Sequence, residues 1–394
     1  MIGSRLRQLR LAKSLTLEAL AAQIGGIITK QALSKYEKDK SIPSPVILNK
    51  LANVLGVKSA YLWEEPTYSI EFVAYRKKGR LTKQEQLRIQ SIITQALGER
   101  CKLQDLNTAA TADLNAPIRE LPVKHVQDAE IAAGNLRKQW ALGKDPIGCL
   151  TDVLEDQHIH IIEIPSDKAF DGISAIAHDK NKKMKAAAVV SRKGVMRERQ
   201  RFNLAHELGH IVLKVSDSVD EEKAASRFAG AFLAPEATIK SEVGEKRSHI
   251  TVQELMILKD KFGMSMQALL YRLKDTNIIS PTYHKEWCIK INRLRWKNRE
   301  PNERTPESPK WLRLNVLKAV AEDLITQEEG ARILGAPLEK EKDLPLSLIG
   351  RRAFMKLPLA ERNRILSEQA EKMKEFYEDN RELKEFLTDQ IIDY

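Results

Sequence analysis

Residues 199–213 read RQRFNLAHELGHIVL, a segment that contains the pattern H-E-x-x-H at His206, Glu207 and His210. Its apolar residues recur at helical spacing, which predicts an α-helix with one apolar face. On a helix, positions i and i+4 lie on the same side, so both imidazoles can reach one Zn²⁺ while Glu207 points at a metal-bound water. The segment therefore predicts a catalytic type of zinc site.

A catalytic zinc needs a third protein ligand and an open coordination position. A second helix is predicted at residues 221–235, EEKAASRFAGAFLAP, and it begins shortly after His210. Glu222 shares one side of this helix with small alanines that permit a close approach, so we expect Glu222 to be the third ligand. Glu221 is the alternative, and either carboxylate could instead serve only to stabilise the helix N-terminus.

The segments upstream of this motif predict a small sheet packed on helices. Three runs rich in β-forming residues are bounded by Pro, Gly, Asp or Lys clusters: IHIIEI at 159–164, GISAIAH at 172–178 and KAAAVVS at 185–191. Residues 67–122 contain a weak strand, SIEFVAYR, and a helix over about 82–106, and we interpret them as a connecting segment that ends in a linker. The fold class is therefore mainly α with a small β-sheet (α+β).

The positive charge is concentrated at the start of the chain. Residues 1–63 hold ten Lys and Arg residues against three Asp and Glu residues, a net charge of +7 out of the +11 of the whole chain. Short apolar-periodic segments preceded by Thr16, Thr29 and Ser44 predict four or five short helices. Gly25-Gly26 can turn the chain between the second and third helices. This arrangement predicts an all-α helix-turn-helix domain over residues 1–66; the alternative is a small helical bundle whose basic residues are merely solvated.

These residues resemble the Cro/C1-type (XRE) helix-turn-helix family. The resemblance covers about 60 residues: RLRQLRLAKSLT at 5–16, LEALAAQIG at 17–25, YEKDKSIPS at 36–44 and LNKLANVLGV at 48–57. It implies that the third helix enters the major groove of a double-stranded DNA operator, with Lys30, Gln31, Ser34 and Lys35 facing base edges and phosphates. It also implies binding as a homodimer to paired half-sites.

Residues 123–300 resemble the ImmA/IrrE family of zinc metallopeptidases. The shared blocks are the H-E-x-x-H segment, EKAASRFAGAFLAP at 222–235, WALGKDPIG at 140–148 and LKDKFGMSMQALLYRLKDTNIIS at 258–280. The resemblance implies a zincin-like α+β domain in which His206, His210 and Glu222 bind Zn²⁺ and Glu207 is the general base. Asn203 and Ser226 depart from the family pattern at positions outside the ligand set.

The rest of the chain restricts the function further. The three cysteines lie far apart, which excludes a C-x-x-C metal clip or a disulfide framework. The N-terminus lacks the apolar run of a signal peptide, so we expect a cytoplasmic protein without a membrane span. Residues 281–310 are basic and then Pro-rich and polar, which predicts a tail of the 123–300 domain that runs into a linker. Residues 311–394 predict a helical C-terminal region that could serve interaction or dimerisation.

Together these features predict a DNA-binding transcriptional regulator that carries a zinc metallo-endopeptidase domain. By the family resemblance, its protein substrate would be a repressor or an antitoxin-like protein. The alternative is a non-proteolytic DNA-binding repressor or antitoxin whose zinc site is structural or sensory.

Overall fold

The computed structural model describes residues 2–65, 67–74, 82–106, 116–165, 170, 172–296, 299–338 and 354–379. The chain divides into two compact units, Met1–Ala336 and Pro337–Tyr394. The expected α+β class with a small sheet is confirmed. Among the described helices, none combines the length and apolarity needed to cross a membrane.

The N-terminal domain has the predicted helix-turn-helix arrangement. Its helices are α1 (Ile2–Ala12), α2 (Leu17–Gln23), α3 (Lys30–Glu37) and α4 (Pro45–Leu55), followed by a 3₁₀ turn at Ser59–Leu62. The three predicted caps are confirmed, because the side chains of Thr16, Thr29 and Ser44 each accept a backbone N–H three residues on. Gly25 and Gly26 both have positive φ and turn the chain from α2 toward α3.

The segment that follows contributes to the sheet. Strand β1 (Ser69–Ala74) pairs antiparallel with β4 (Gly172–His178) at one edge, and α5 (Lys83–Leu106) covers one face through Ile89, Ile93 and Leu97. The interpretation of 67–122 as a mere connection is therefore wrong for β1 and α5. Non-local pairing with β4 supplies a burial that a short, isolated strand pattern does not reveal. Most of the predicted linker, residues 107–115, lies outside the described residues.

The main sheet has the order β1-β4-β5-β3, where β3 is Ile159–Ile164 and β5 is Met184–Arg192. Strand β3 runs parallel to β5, and β4 is antiparallel to β5. Two short strands, β2 (Leu121–Val123) and β6 (Leu213–Val215), form a separate parallel pair. The face opposite α5 packs on the main core, which holds α8 (Arg197–Val212) and α9 (Glu221–Leu233).

Further helices complete this domain. They are α6 (Asp128–Gln139), α7 (Leu150–Asp156), α10 (Glu236–Val243), α11 (Val252–Phe262), α12 (Met266–Asp275) and α13 (Pro281–Arg293). Helix α13 buries Trp287 and Ile291 in the main core. Helix α13 is thus the tail of this domain.

Residues 299–310 also pack on this domain, through contacts with α7, α8 and α12. The Glu307 carboxylate is buried, pairs with Arg201 of α8 and accepts the backbone N–H groups of Leu150 and Thr151 at the start of α7. The Glu300 carboxylate likewise accepts the backbone N–H groups of Met266 and Gln267 at the start of α12. Because carboxylates satisfy the free N–H groups of helix N-termini, this polar segment has a structural role that its linker-like composition hides.

The C-terminal region is helical, as predicted, where it is described. Helices α14 (Trp311–Ala321) and α15 (Gln327–Leu334) pack against Leu103 of α5, and α16 (Leu359–Asp379) belongs to the second unit. The predicted cap Thr326 begins α15, and Gly335 ends it with positive φ. Residues 339–353 and 380–394 of the predicted region lie outside the described residues.

Candidate metal centre and DNA-binding surface

Helix α8 and helix α9 cross closely at the H-E-x-x-H segment. A Cβ atom at Gly209 would lie 3.2 Å from the Cα of Ala225 and 3.2 Å from the ring of Phe228, so a larger residue would push the helices apart. The small residues at this crossing therefore bring the first turn of α9 to the two histidines. His206, Glu207 and His210 are all at most 3 % exposed.

Three side chains converge at this crossing. The Nε2 atoms of His206 and His210 lie 3.2 Å apart, and the Glu222 carboxylate oxygens lie 3.5 Å and 3.6 Å from them. A tetrahedral ion with bonds of about 2.0–2.1 Å keeps any two of its ligand atoms about 3.3 Å apart. The donor set of two imidazoles and one carboxylate, at these separations, fits Zn²⁺.

Two further residues contact the Nδ1 atoms of the imidazole rings, on the side away from Glu222. Ser226 Oγ lies 3.2 Å from Nδ1 of His206, and Glu221 Oε1 lies 3.1 Å from Nδ1 of His210. If each Nδ1 carries the proton, each Nε2 presents its lone pair to the common point between the rings. Glu221 thus contacts the ring nitrogen that faces away from Glu222, and Ser226 fills the position where the sequence departs from the family pattern.

Negative charge surrounds the histidines. Burial acts to lower the pKa of His210, but hydrogen bonds to Glu222 and Glu221 and the charge of Glu207 outweigh it and raise that pKa above its ordinary value. An environment that favours a proton on an imidazole also favours a cation. The electrostatics of this cluster therefore agree with its donor set.

Strand β4 positions the Glu207 carboxylate. The Ser174 hydroxyl lies 2.9 Å from both Oε2 and the backbone carbonyl oxygen of Glu207, and donates a hydrogen bond to them. A Cβ atom at Gly172 would lie 2.6 Å from Oε1, so the absence of a side chain there leaves the room that Glu207 occupies. Sequence reasoning missed both residues, because nothing in the order of the chain indicates that β4 lies beside α8.

The second candidate surface is the outer side of α3. Lys30, Gln31 and Lys35 are exposed and Ser34 is half-buried, while Leu33 anchors the helix in the domain core. The buried ion pair between Arg10 and Glu37 fixes the end of α3 to α1. Lys30 also pairs with Glu18 of α2 at 2.9 Å, so its charge is partly compensated within the domain.

Comparison with known proteins identifies the family of each of the two domains. Residues 6–62 match a family model described as helix-turn-helix, and residues 157–274 match one described as IrrE N-terminal-like domain. The chain joins an XRE-type helix-turn-helix domain to an IrrE/ImmA-like domain. The IrrE-like match spans β3 through most of α12 and includes His206, Glu207, His210 and Glu222.

A relative in Bacillus subtilis (strain 168) is described as an SPbeta prophage-derived uncharacterized HTH-type transcriptional regulator, YonR. It is 39 % identical over 62 residues, which cover 16 % of this chain and 56 % of the relative. The chain thus spans just over half the length of this relative. The similarity bears on the helix-turn-helix domain alone.

Proposed function

We propose that this protein is a DNA-binding transcriptional regulator whose IrrE-like domain is a zinc-dependent endopeptidase. The observation that carries the proposal is the convergence of His206, His210 and Glu222 beside a Glu207 carboxylate that a strand holds in place. A purely structural zinc site closes with four protein ligands and has no need of Glu207. Three donors and an adjacent carboxylate are the pattern of a catalytic site.

In this proposal His206, His210 and Glu222 hold the ion, and Glu221 and Ser226 orient the two imidazoles. When bound, Zn²⁺ supplies a water of lowered pKa and polarises the peptide carbonyl. Glu207 accepts the proton of the attacking water on its carboxylate and returns it to the leaving nitrogen. Ser174 is a positioning residue, since it acts through Glu207.

The helix-turn-helix domain would bring this activity to an operator. We propose that Gln31 reads a base edge, that Lys30 and Lys35 contact phosphates, and that Ser34 lies between them. The protein binds as a homodimer to paired half-sites, and the cleaved protein is a repressor or an antitoxin-like protein. Cleavage would thereby couple proteolysis to gene control.

Elemental analysis of the purified full chain tests the metal site. We expect about one zinc per wild-type chain, and loss of that zinc in His206→Ala. The matched control is His125→Ala, because His125 is an exposed histidine outside the cluster. Absence of zinc from the wild type, or equal zinc in both variants, would contradict the proposed ligand set.

A pair of glutamate variants separates the two candidate third ligands. Glu222→Gln should lose most of the zinc, because it removes a carboxylate ligand. Glu221→Gln should keep the zinc stoichiometry and weaken the affinity for zinc by about 10- to 100-fold, the usual effect of losing a residue that orients a metal ligand. The reverse order would assign Glu221 as the ligand.

The alternative, a domain whose zinc is structural or sensory, predicts the same zinc content without cleavage of any peptide. Incubating the wild-type protein with a library of proteome-derived peptides and identifying new termini by mass spectrometry separates the two. A defined set of cleaved bonds that chelation abolishes supports the peptidase. A complete lack of new termini favours the alternative.

A further inference from the structure

A cavity lies between the helix-turn-helix domain and α5, away from the metal centre. Arg5 and Gln8 of α1 line one side of it, and Gly98 and Lys102 of α5 line the other. Its volume is about 70 Å³, whereas one water needs roughly 10–15 Å³. The cavity therefore has room for a few waters or one small ligand.

Two hydrogen-bond donors that line this cavity have no partner among the described residues. They are Nε of Arg5 and Nε2 of Gln8, and both atoms are buried. Arg5 as a whole is only 8 % exposed, and its other nitrogens donate to the Tyr61 hydroxyl and to the backbone oxygen of Glu64. Because an unsatisfied buried donor is costly, the cavity calls for an acceptor.

Nearby carboxylates already have cationic partners. The Glu99 carboxylate pairs with Arg332 at 2.6 Å, and the Glu64 carboxylate pairs with Lys102 at 2.6 Å. The guanidinium of Arg5 has no carboxylate partner among the ion pairs of the described chain. Arg5 therefore contributes a positive charge to this wall, whereas the Glu99 carboxylate, which also lines the cavity, is paired with Arg332.

We propose that this cavity binds a small oxyanion, a carboxylate or a phosphate, whose oxygens accept hydrogen bonds from Arg5 and Gln8. The proposal stands on the cavity and does not depend on the DNA-binding or peptidase proposals. A bound anion would add contacts between α1 and α5, and would strengthen the attachment of the helix-turn-helix domain to the sheet.

Gly98 lies on the α5 wall of the cavity. It lies inside α5, where glycine is less favourable than alanine, and its φ is not positive. A Cβ atom built there would meet no described atom within 4 Å. Neither backbone conformation nor packing against described atoms thus requires this glycine, and its lack of a side chain leaves the cavity open on the α5 side.

Isothermal titration calorimetry of the full chain tests the proposal, with sodium phosphate and sodium acetate as separate probes at constant ionic strength. We expect one site per chain for at least one probe. Saturation by phosphate alone would identify a phosphoryl ligand, and saturation by acetate alone would identify a carboxylate. If neither probe saturates a single site, the unpartnered donors are hydrated by waters only and the proposal is overturned.

Three variants locate the binding. Gln8→Met removes one donor at similar size and should weaken binding by roughly tenfold, the effect of about one hydrogen bond. Gly98→Leu should abolish binding, and Gly98→Ala should weaken it while the melting temperature stays at or above that of the wild type. Lys58→Ala, at an exposed lysine outside α3, controls for anions on the exposed basic surface and should bind as the wild type does. Unchanged affinity in both Gly98 variants would overturn the proposal.

Discussion

Replacing Gly172 with alanine tests how far catalysis depends on the position of Glu207. The new Cβ would lie 2.6 Å from Oε1 and 2.9 Å from Cγ of Glu207, whereas real Cβ atoms essentially never approach closer than 3.0 Å. Relief of this clash requires the carboxylate to move by about 0.4–0.8 Å. A flexible side chain can make that movement, so we expect the fold to persist and the Ser174 hydrogen bond to lengthen.

We expect Gly172→Ala to slow catalysis rather than to destabilise the fold. A misplacement of about 1 Å can cost on the order of 10²-fold in rate, so we expect kcat/KM to fall by roughly 10- to 100-fold. Zinc content should remain at the wild-type value, because His206, His210 and Glu222 are untouched. The free energy of unfolding should change by less than about 1 kcal/mol.

The assay is cleavage of the best peptide found with the wild-type enzyme, followed by zinc analysis and a urea melt of the same preparations. Gly134→Ala is the matched control, because a Cβ at Gly134 in α6 meets no described atom within 4 Å. It should cleave at the wild-type rate. Wild-type kcat/KM in Gly172→Ala, with zinc retained, would refute the view that β4 holds Glu207 in its working position.

Three further predictions concern DNA binding and stability. Lys35→Ala should weaken binding to duplex DNA and reduce the slope of log binding constant against log salt concentration by about 0.9, as measured by fluorescence anisotropy. Lys58→Ala, which lies outside α3, should change neither quantity. Equal effects of the two substitutions would contradict the placement of α3 in the major groove. Gln31→Ala should lose about 1–3 kcal/mol of discrimination at one base pair while keeping the salt slope, and unchanged selectivity in a sequence-selection assay would contradict its role. Glu307→Ala should lower the free energy of unfolding in urea by about 3–5 kcal/mol, because it leaves the buried Arg201 without its carboxylate; the exposed Glu328→Ala is the control, and equal stability of the two variants would show that residues 299–310 do not brace α8.

Local signals predicted the elements that local interactions form. The caps at Thr16, Thr29, Ser44 and Thr326 are readable because the capping side chain and the helix it begins are adjacent in sequence. The H-E-x-x-H spacing likewise indicates one face of one helix. These features predicted the helix-turn-helix domain, helix α8 and the α+β class.

Contacts between distant segments were not readable in the same way. Ser174 and Gly172 reach Glu207 because β4 packs beside α8, and no periodicity in either segment records that contact. Glu300 and Glu307 look like ordinary polar linker residues until the fold brings them to the starts of α12 and α7. The side chains that support the candidate site thus depend on tertiary packing, whereas its candidate ligands follow from spacing.

The substitution Glu207→Gln tests the central proposal most directly, because it removes the base and leaves the proposed ligands in place. Zinc content and peptide cleavage should be measured on the same preparations of the wild type and the variant. We expect about one zinc per chain in both, and cleavage by the wild type alone. Cleavage by Glu207→Gln at the wild-type rate would contradict the proposed role of Glu207.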